Sequence, residues 1–334
     1  MMQPRGLFVG LTTLDVVQRV ARFPGVNEKV VAQRSDIVAG GPAAVAAVTF
    51  SALGGHSVLL SALGPGPVGR LAAGELAGTG VHIVDLWAAG SDLSISAITV
   101  LDESGQRSVV SRNAEDLTAL VPDDLPALTG DADVVLIDGH HPDLAVAAAR
   151  AARAAGVPVI LDCGSPKPVY AELVPLADAV VCSAGFAAEP VAAALLADGA
   201  RLVARTAGAA PVRWWARGAT GAVEVPSVAV RDTLGAGDVL HGAVAFARAS
   251  AVTDPQHSVS FGVAVASLRV AHIGPRAWLE DQRLRELAAD LQSWLASQPS
   301  RQTAGERGAR ALPAAPGDRS PAPAGPAAAP AARS

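Results

Sequence analysis

Six short runs of consecutive apolar residues alternate along this chain with alanine- and leucine-rich stretches of helical length, and that alternation constrains the fold more than any other feature. The predicted strands are Leu7–Leu11, Val58–Ala62, Val134–Asp138, Val157–Asp162, Ala179–Cys182 and Leu202–Arg205. The predicted helices are Ala43–Leu53, Arg70–Ala77, Leu144–Ala155, Val169–Leu176, Val191–Ala197 and Asp238–Ala249. A strand that is apolar on both faces must be covered on both, so the pattern predicts a mostly parallel central sheet between helix layers, a doubly wound α/β/α sandwich. Ligands of such sheets bind outside the carboxyl ends of the strands. Asp15, His140, Asp162 and Ser183 all fall at or just past predicted strand ends, on one edge of the sheet.

Two segments break the alternation, Val16–Val38 and Leu93–Val110. Their β-branched stretches, with Glu103-Ser104-Gly105 as a hairpin turn, predict a small additional antiparallel sheet. With 334 residues, 50% of them hydrophobic and 17% charged, the chain can bury one large core without a second domain. That domain is expected over residues 5–298. From Pro299 to Ser334 the sequence turns to Ala, Pro, Arg, Gly and Ser and predicts a disordered tail. The heavy use of Ala and Gly elsewhere reads as nucleotide bias of the gene and is given little structural weight.

Composition also excludes partners. The net charge is −5 and no Lys/Arg-rich run occurs, which argues against nucleic acid, and 4% aromatic content offers few stacking platforms. No apolar stretch approaches the roughly 18 residues of a membrane span. The start Met-Met-Gln-Pro-Arg-Gly has no signal-like segment, and Cys163 and Cys182 lie outside any metal-like spacing. Two buried, reduced thiols in a cytoplasmic protein are the expectation.

The chemistry concentrates in Asp232-Thr-Leu-Gly-Ala-Gly-Asp238, followed by an apolar helix of small residues. Gly235 and Gly237 flank Ala236 where that helix should begin, so their amides are free to face an anion and the helix dipole adds to the attraction. A carboxylate beside an anion cradle would repel phosphate in a ground-state complex. Asp238 makes sense there as a base that deprotonates a hydroxyl attacking a phosphoryl group, while the amides of Gly235, Ala236 and Gly237 neutralise the transferring oxygens.

Asp232, Thr233, Gly235-Ala236, Gly237, Asp238 and Gly242-Ala243-Val244-Ala245 together resemble the C-terminal signature of the ribokinase-like (PfkB) carbohydrate kinases. Gly40-Gly41-Pro42-Ala43-Ala44-Val45-Ala46-Ala47, with Gly54 and Gly64 beyond it, is similar to their N-terminal signature, with Val45 where many members carry Asn. The likeness runs from about Leu7 to about Trp294. It implies ATP-dependent phosphorylation of a sugar hydroxymethyl group, with Asp238 as general base. Asp15, Gly40 and Gly41 would bind the sugar, and His140 would help choose it. Ser183, Thr206, Gly208 and Gly274 would lie on the nucleotide side. Magnesium would come with the nucleotide, and Asp232 would stand where some members hold potassium. The extra sheet would be a lid that excludes water, and two lids could complete each other in a homodimer. Lys29 in the lid could touch the far side of the substrate. Two positions depart from the family's nucleotide pattern: Pro211 replaces a glycine, and Ser183 an asparagine that is followed closely by glutamate.

Gly64-Pro-Gly66-Pro-Val-Gly69 matches a dinucleotide fingerprint, but its prolines remove amide donors that a pyrophosphate would need. His140-His141 lacks further ligands to complete a metal shell. A nucleoside kinase of the same fold and a catalytically weak sugar-binding regulator remain as alternatives.

Overall fold

Phe8, Phe50, Phe246 and Phe261 form a line of aromatic contacts through the interior, with successive ring centroids 5.3, 5.5 and 6.2 Å apart. Each ring comes from a different element, so the line ties the strand Arg5–Val9 to three helices, Pro42–Ala52, Ala236–Ala249 and Pro255–Val270. These contacts are seen in a computed structural model that describes residues 3–185 and 189–298. The segment 299–334, expected to be a disordered tail, lies outside the described residues.

The nine-stranded sheet runs Ala219–Val223, Ala210–Ala216, Leu202–Ala207, Ala179–Cys182, Val159–Cys163, Val134–Ile137, Arg5–Val9, His56–Ser61, His82–Asp85. Its seven strands from Leu202–Ala207 onward are parallel, and the two at the other edge are antiparallel. From the central strand Arg5–Val9 the chain first builds outward in one direction and then, from Val134–Ile137, in the other. The order reverses between these two strands, and a crevice opens there at the carboxyl ends. Strands apolar on both faces account for the burial: Val134–Ile137 and Ala179–Cys182 are buried at every residue.

A second sheet of four strands, in the order Arg34–Gly40, Thr13–Val20, Ile95–Leu101, Arg107–Val110, is the expected lid. Both of its hairpins are antiparallel, while the pair that joins them, Thr13–Val20 with Ile95–Leu101, is parallel. The lid begins at Thr13, three residues earlier than expected, so Asp15 belongs to a lid strand and not to the end of a core strand. Alternation then sends Asp15, Val17 and Arg19 to the buried face.

Helices Pro42–Ala52 and Ala236–Ala249 cross closely because their contact residues are small. A Cβ on Gly242 would lie 2.5 Å from the carbonyl oxygen of Ala46 and 2.8 Å from Cβ of Thr49. This crossing carries the two glycine-rich segments, Gly40-Gly41 and Gly235-Ala236-Gly237, to one edge of the sheet. We expect Gly242→Ala to cost about 1–3 kcal/mol in a denaturant titration, through overpacking. An unchanged midpoint would contradict this account of the crossing.

Candidate active site

The helix Ala236–Ala249 starts without a side-chain cap. Its N-cap is Gly235, in the left-handed region at φ 71°, a conformation costly for a residue with a Cβ. The amides of Gly235 and Gly237 have no backbone acceptor among the described residues, whereas the amide of Ala236 makes a long 3.4 Å bond to the carbonyl of Thr233. Uncapped first-turn amides need a partner, and an anion at the positive end of the helix dipole would supply one. Val45 borders the cradle, 3.6 Å from where a Cβ on Gly235 would stand.

Asp238 sits in the first turn of this helix, partly exposed. Ligand atoms of Asp238, Asp162 and His241 lie within 4.8 Å of one another. His241, one turn on from Asp238, has Nε2 3.2 Å from the carbonyl of Val181 and Nδ1 3.3 Å from Oδ2 of Asp162. Burial pushes the Asp238 carboxyl up to about 6, and the neighbouring Asp162 pushes in the same direction. His241 and Arg107 oppose the rise.

On the sugar side, Asp15 is 8% exposed and accepts a 2.7 Å bond from the hydroxyl of Thr13. Its carboxylate lies against Gly40, where an added Cβ would come within 2.0 Å of Oδ2. Gly41, at φ 95°, caps the helix Pro42–Ala52 and approaches the carbonyl of Leu11 so closely that a Cβ would lie 2.3 Å from it. Burial raises the Asp15 carboxyl, and bonds from Thr13 and Ser96 act against that rise. His140 stands at the reversal of strand order, its Nδ1 3.0 Å from Oδ1 of Asp138. Burial alone would raise Asp138, yet His140 and amide bonds from His140 and Leu11 hold it well below the usual carboxylate range. Lys29 is exposed in the connection between two lid strands, and no contact joins it to the other candidates among the described residues.

The nucleotide-side candidates lie at neighbouring strand ends. Ser183 follows Ala179–Cys182 and donates to the carbonyl of Gly164 at 2.9 Å. Thr206 lies within Leu202–Ala207, two residues longer than expected, with its hydroxyl 3.4 Å from the carbonyl of Cys182. Gly208, at φ 62°, makes the tight turn into the next strand. Gly274, at φ 88°, donates its amide to Oδ2 of Asp232 at 3.2 Å. Of Glu189 only its start of the helix Glu189–Ala197 is described, so its side chain does not enter.

A family model for the pfkB family of carbohydrate kinases matches residues 5–282. The chain belongs to the PfkB family. A ribokinase of Arabidopsis thaliana is 29% identical over 167 residues, 48% of this chain and 44% of that protein, so the match spans less than half of the relative's length. The solved structure of Arabidopsis thaliana ribokinase complexed with ribose and ATP superposes with a TM-score of 0.70 at 25% identity, over 87% of this chain and 99% of that one. Ribokinase from Giardia lamblia, at 17% identity and a TM-score of 0.75 over 87% of this chain and 100% of that one, is similar in fold.

Several residues of this PfkB protein bond to the segment that leads into the cradle and carry no signal in the sequence. Arg107, from a lid strand, donates to both the carbonyl and the hydroxyl of Thr233 at 3.1 Å. Thr233 in turn donates its hydroxyl to the carbonyl of Gly105 at 2.9 Å. Arg19 reaches from the lid to Asp102 at 2.6 Å and to the carbonyl of Arg231 at 2.6 Å. The lid hairpin is thereby stitched to the segment that leads into the cradle. His241, 3.3 Å from Asp162, likewise carries no signal of its own in the sequence. Nothing in the sequence signals these pairings, because the partners lie far apart along the chain.

The raised Asp238 carboxyl has a stability consequence with a definite sign. Its folded value of about 6 exceeds the ordinary 3.8, so the stabilisation belongs to the protonated form, is complete below 3.8 and is lost as pH rises through 6. Asp238→Asn escapes that loss. Thermal unfolding should find the variant more stable than wild type near pH 7 by a few degrees, with the gap closing toward pH 4. A gap that is constant with pH would contradict the shift.

Proposed function

We propose that this protein is an ATP-dependent sugar kinase that phosphorylates a hydroxymethyl group of a pentose, a hexose or a related polyol. The observation that carries the reading is the carboxylate of Asp238 beside the uncapped amides of Gly235 and Gly237. Asp238 takes the proton from the sugar hydroxyl. The freed oxygen bonds to the γ-phosphorus of ATP as the bond to the β–γ bridging oxygen breaks, and ADP leaves with that oxygen. The amides of Gly235 and Gly237, with the helix dipole, offset the charge on the equatorial oxygens.

Asp15 accepts sugar hydroxyls in this reading, with Gly40 and Gly41 giving the ring close access to backbone, and His140 bordering the substrate from the reversal point of the sheet. Thr206, Gly208, Ser183 and Gly274 line the nucleotide. Magnesium is part of the MgATP substrate. The grouping of Asp162, Asp238 and His241 is poorly suited to hold it, since the histidine is engaged with Asp162 and Mg2+ prefers oxygen and water. The similar Arabidopsis ribokinase is complexed with ribose and ATP, which makes ribose the first sugar to try.

A panel of sugars and nucleosides assayed by ADP release tests the reading. Turnover is expected with at least one sugar, and Asp238→Asn should reduce it by about 10³-fold or more while leaving ATP affinity nearly unchanged. The acid limb of kcat against pH should fall through about pH 6, as the base protonates. Activity in the variant at a tenth of wild type would overturn the assignment of the base. Binding of sugar without turnover across the panel would favour a regulator.

The lid also supports a homodimer. Ile37 lies opposite Val16, Val16 opposite Ala97, and Ala97 opposite Val110, a row across all four strands on the outer face. Val110 is 73% exposed and Ile37 55%. An apolar row of this kind fits self-association of two lids. Light scattering should give twice the chain mass, and Val110→Lys should lower it. A monomeric wild type would contradict the dimer.

A further inference from the structure

The family resemblance implies a monovalent cation at Asp232 in some members, and the groups around Asp232 in this chain do not suit one. Asp232 is 1% exposed. Its Oδ1 accepts from the amide of Leu234 at 2.9 Å, and its Oδ2 from the amide of Gly274 at 3.2 Å. Facing the same carboxylate is Arg269, 2% exposed, in the last turn of the helix Pro255–Val270. Its Nη2 is 3.4 Å from Oδ2 of Asp232, and its Nη1 donates to the carbonyl of Asp232 at 3.4 Å and to the carbonyl of His272 at 3.2 Å. Arg19, 5% exposed, approaches from the lid with Nη1 4.0 Å from the same Oδ2.

A carboxylate oxygen and two carbonyl oxygens converging on one point are the ligands that a dehydrated alkali cation would take. In this protein they converge on a guanidinium. Arginine stays charged when buried, its planar fork satisfies several oxygens at once, and it already gives the buried carboxylate its countercharge. Asp232 is paired with Arg269 and Asp102 with Arg19, so a metal ion at the same spot would add an unmatched positive charge next to two guanidinium groups.

We infer that Arg269 is a positioning residue that supplies from within the chain the positive charge beneath the cradle, so that the form of the cradle does not depend on potassium. Asp232 begins the turn that leads through Thr233 and Leu234 to Gly235. Holding its carboxylate and its carbonyl together therefore fixes where the Gly235 and Gly237 amides point. The inference rests on the kinase reading only for the use to which the cradle is put.

The test compares full-chain wild type with Arg269→Ala in potassium chloride and in tetramethylammonium chloride at equal ionic strength, without sugar. Three quantities are read: the thermal midpoint, the Kd of a non-hydrolysable ATP analogue, and the anomalous signal of crystals soaked in thallium(I). Wild type should show a change in Kd of less than about twofold between the salts, an unmoved midpoint and no thallium beside Asp232. Arg269→Ala should lose about tenfold in analogue affinity without potassium and recover part of it when potassium is added, the rescue that a purely structural arginine would not give. Thallium at Asp232 in wild type, a wild-type Kd that tightens tenfold in potassium, or a folded variant no more responsive than wild type would each overturn the inference. If the variant does not fold, the wild-type crystals and midpoint still decide. None of these readouts requires phosphoryl transfer, so a kinase panel that fails and a cation test that fails are separate results.

Discussion

The close crossing of the helices Pro42–Ala52 and Ala236–Ala249 is the constraint on which the rest of the structure depends. Gly242 admits the carbonyl of Ala46 to a distance that any side chain would forbid. Because the helices meet there, Gly41 at the start of one and Gly235 at the start of the other open on the same edge of the sheet, and Val45 of the first borders the cradle of the second. The phenylalanines at 8, 50, 246 and 261 hold that crossing against the central strand. Two helix N-termini at one edge of the sheet concentrate positive potential there before any side-chain chemistry is added.

The side chains then divide the electrostatic task. Cradle amides offer partial positive charge without a full countercharge, which suits charge that develops during a reaction. Asp238 is kept basic by partial burial and by Asp162, whose own carboxyl burial raises and His241 moderates. Asp232, by contrast, is fully engaged by amides and guanidinium groups. Two acids six residues apart in one motif are therefore held differently: Asp232 is buried and bonded within the turn, while Asp238 stays partly exposed at the start of the helix. The lid joins this arrangement through Arg19, Arg107 and Gly105, whose hydrogen bonds tie it to the segment leading into the cradle.

Much of the fold was legible because it rests on local pattern. Strands apolar on both faces predicted the parallel sheet, and the two glycine-rich segments do begin helices at one edge of it. The lid strands were legible from alternation at Ser94–Val100, although the strand holding Asp15 was begun too late, since Leu14 and Asp15 do not continue a clean alternation. The helix Gln282–Ser297 and the small pairing of Trp87–Gly90 with Leu117–Ala119 went unread; their signals are weak and their packing is tertiary. Ala46, Ala47, Gly242 and Ala243 entered the sequence reading only as parts of the two family signatures, yet they are what lets the helices meet. Within the site, the roles of Arg269, Arg19 and Arg107 could not be read, because each depends on partners that only the fold brings near.

The central claim is that Asp238 and the neighbouring amides act on one phosphoryl group. A crystal structure with a non-hydrolysable ATP analogue and an accepted sugar tests it most directly. The account predicts the terminal phosphate within about 3 Å of the Gly235 and Gly237 amides, and a sugar hydroxyl at similar distance from Asp238 on the side facing the phosphorus. A terminal phosphate bound elsewhere, or Asp238 turned away from the sugar toward Asp162, would contradict it.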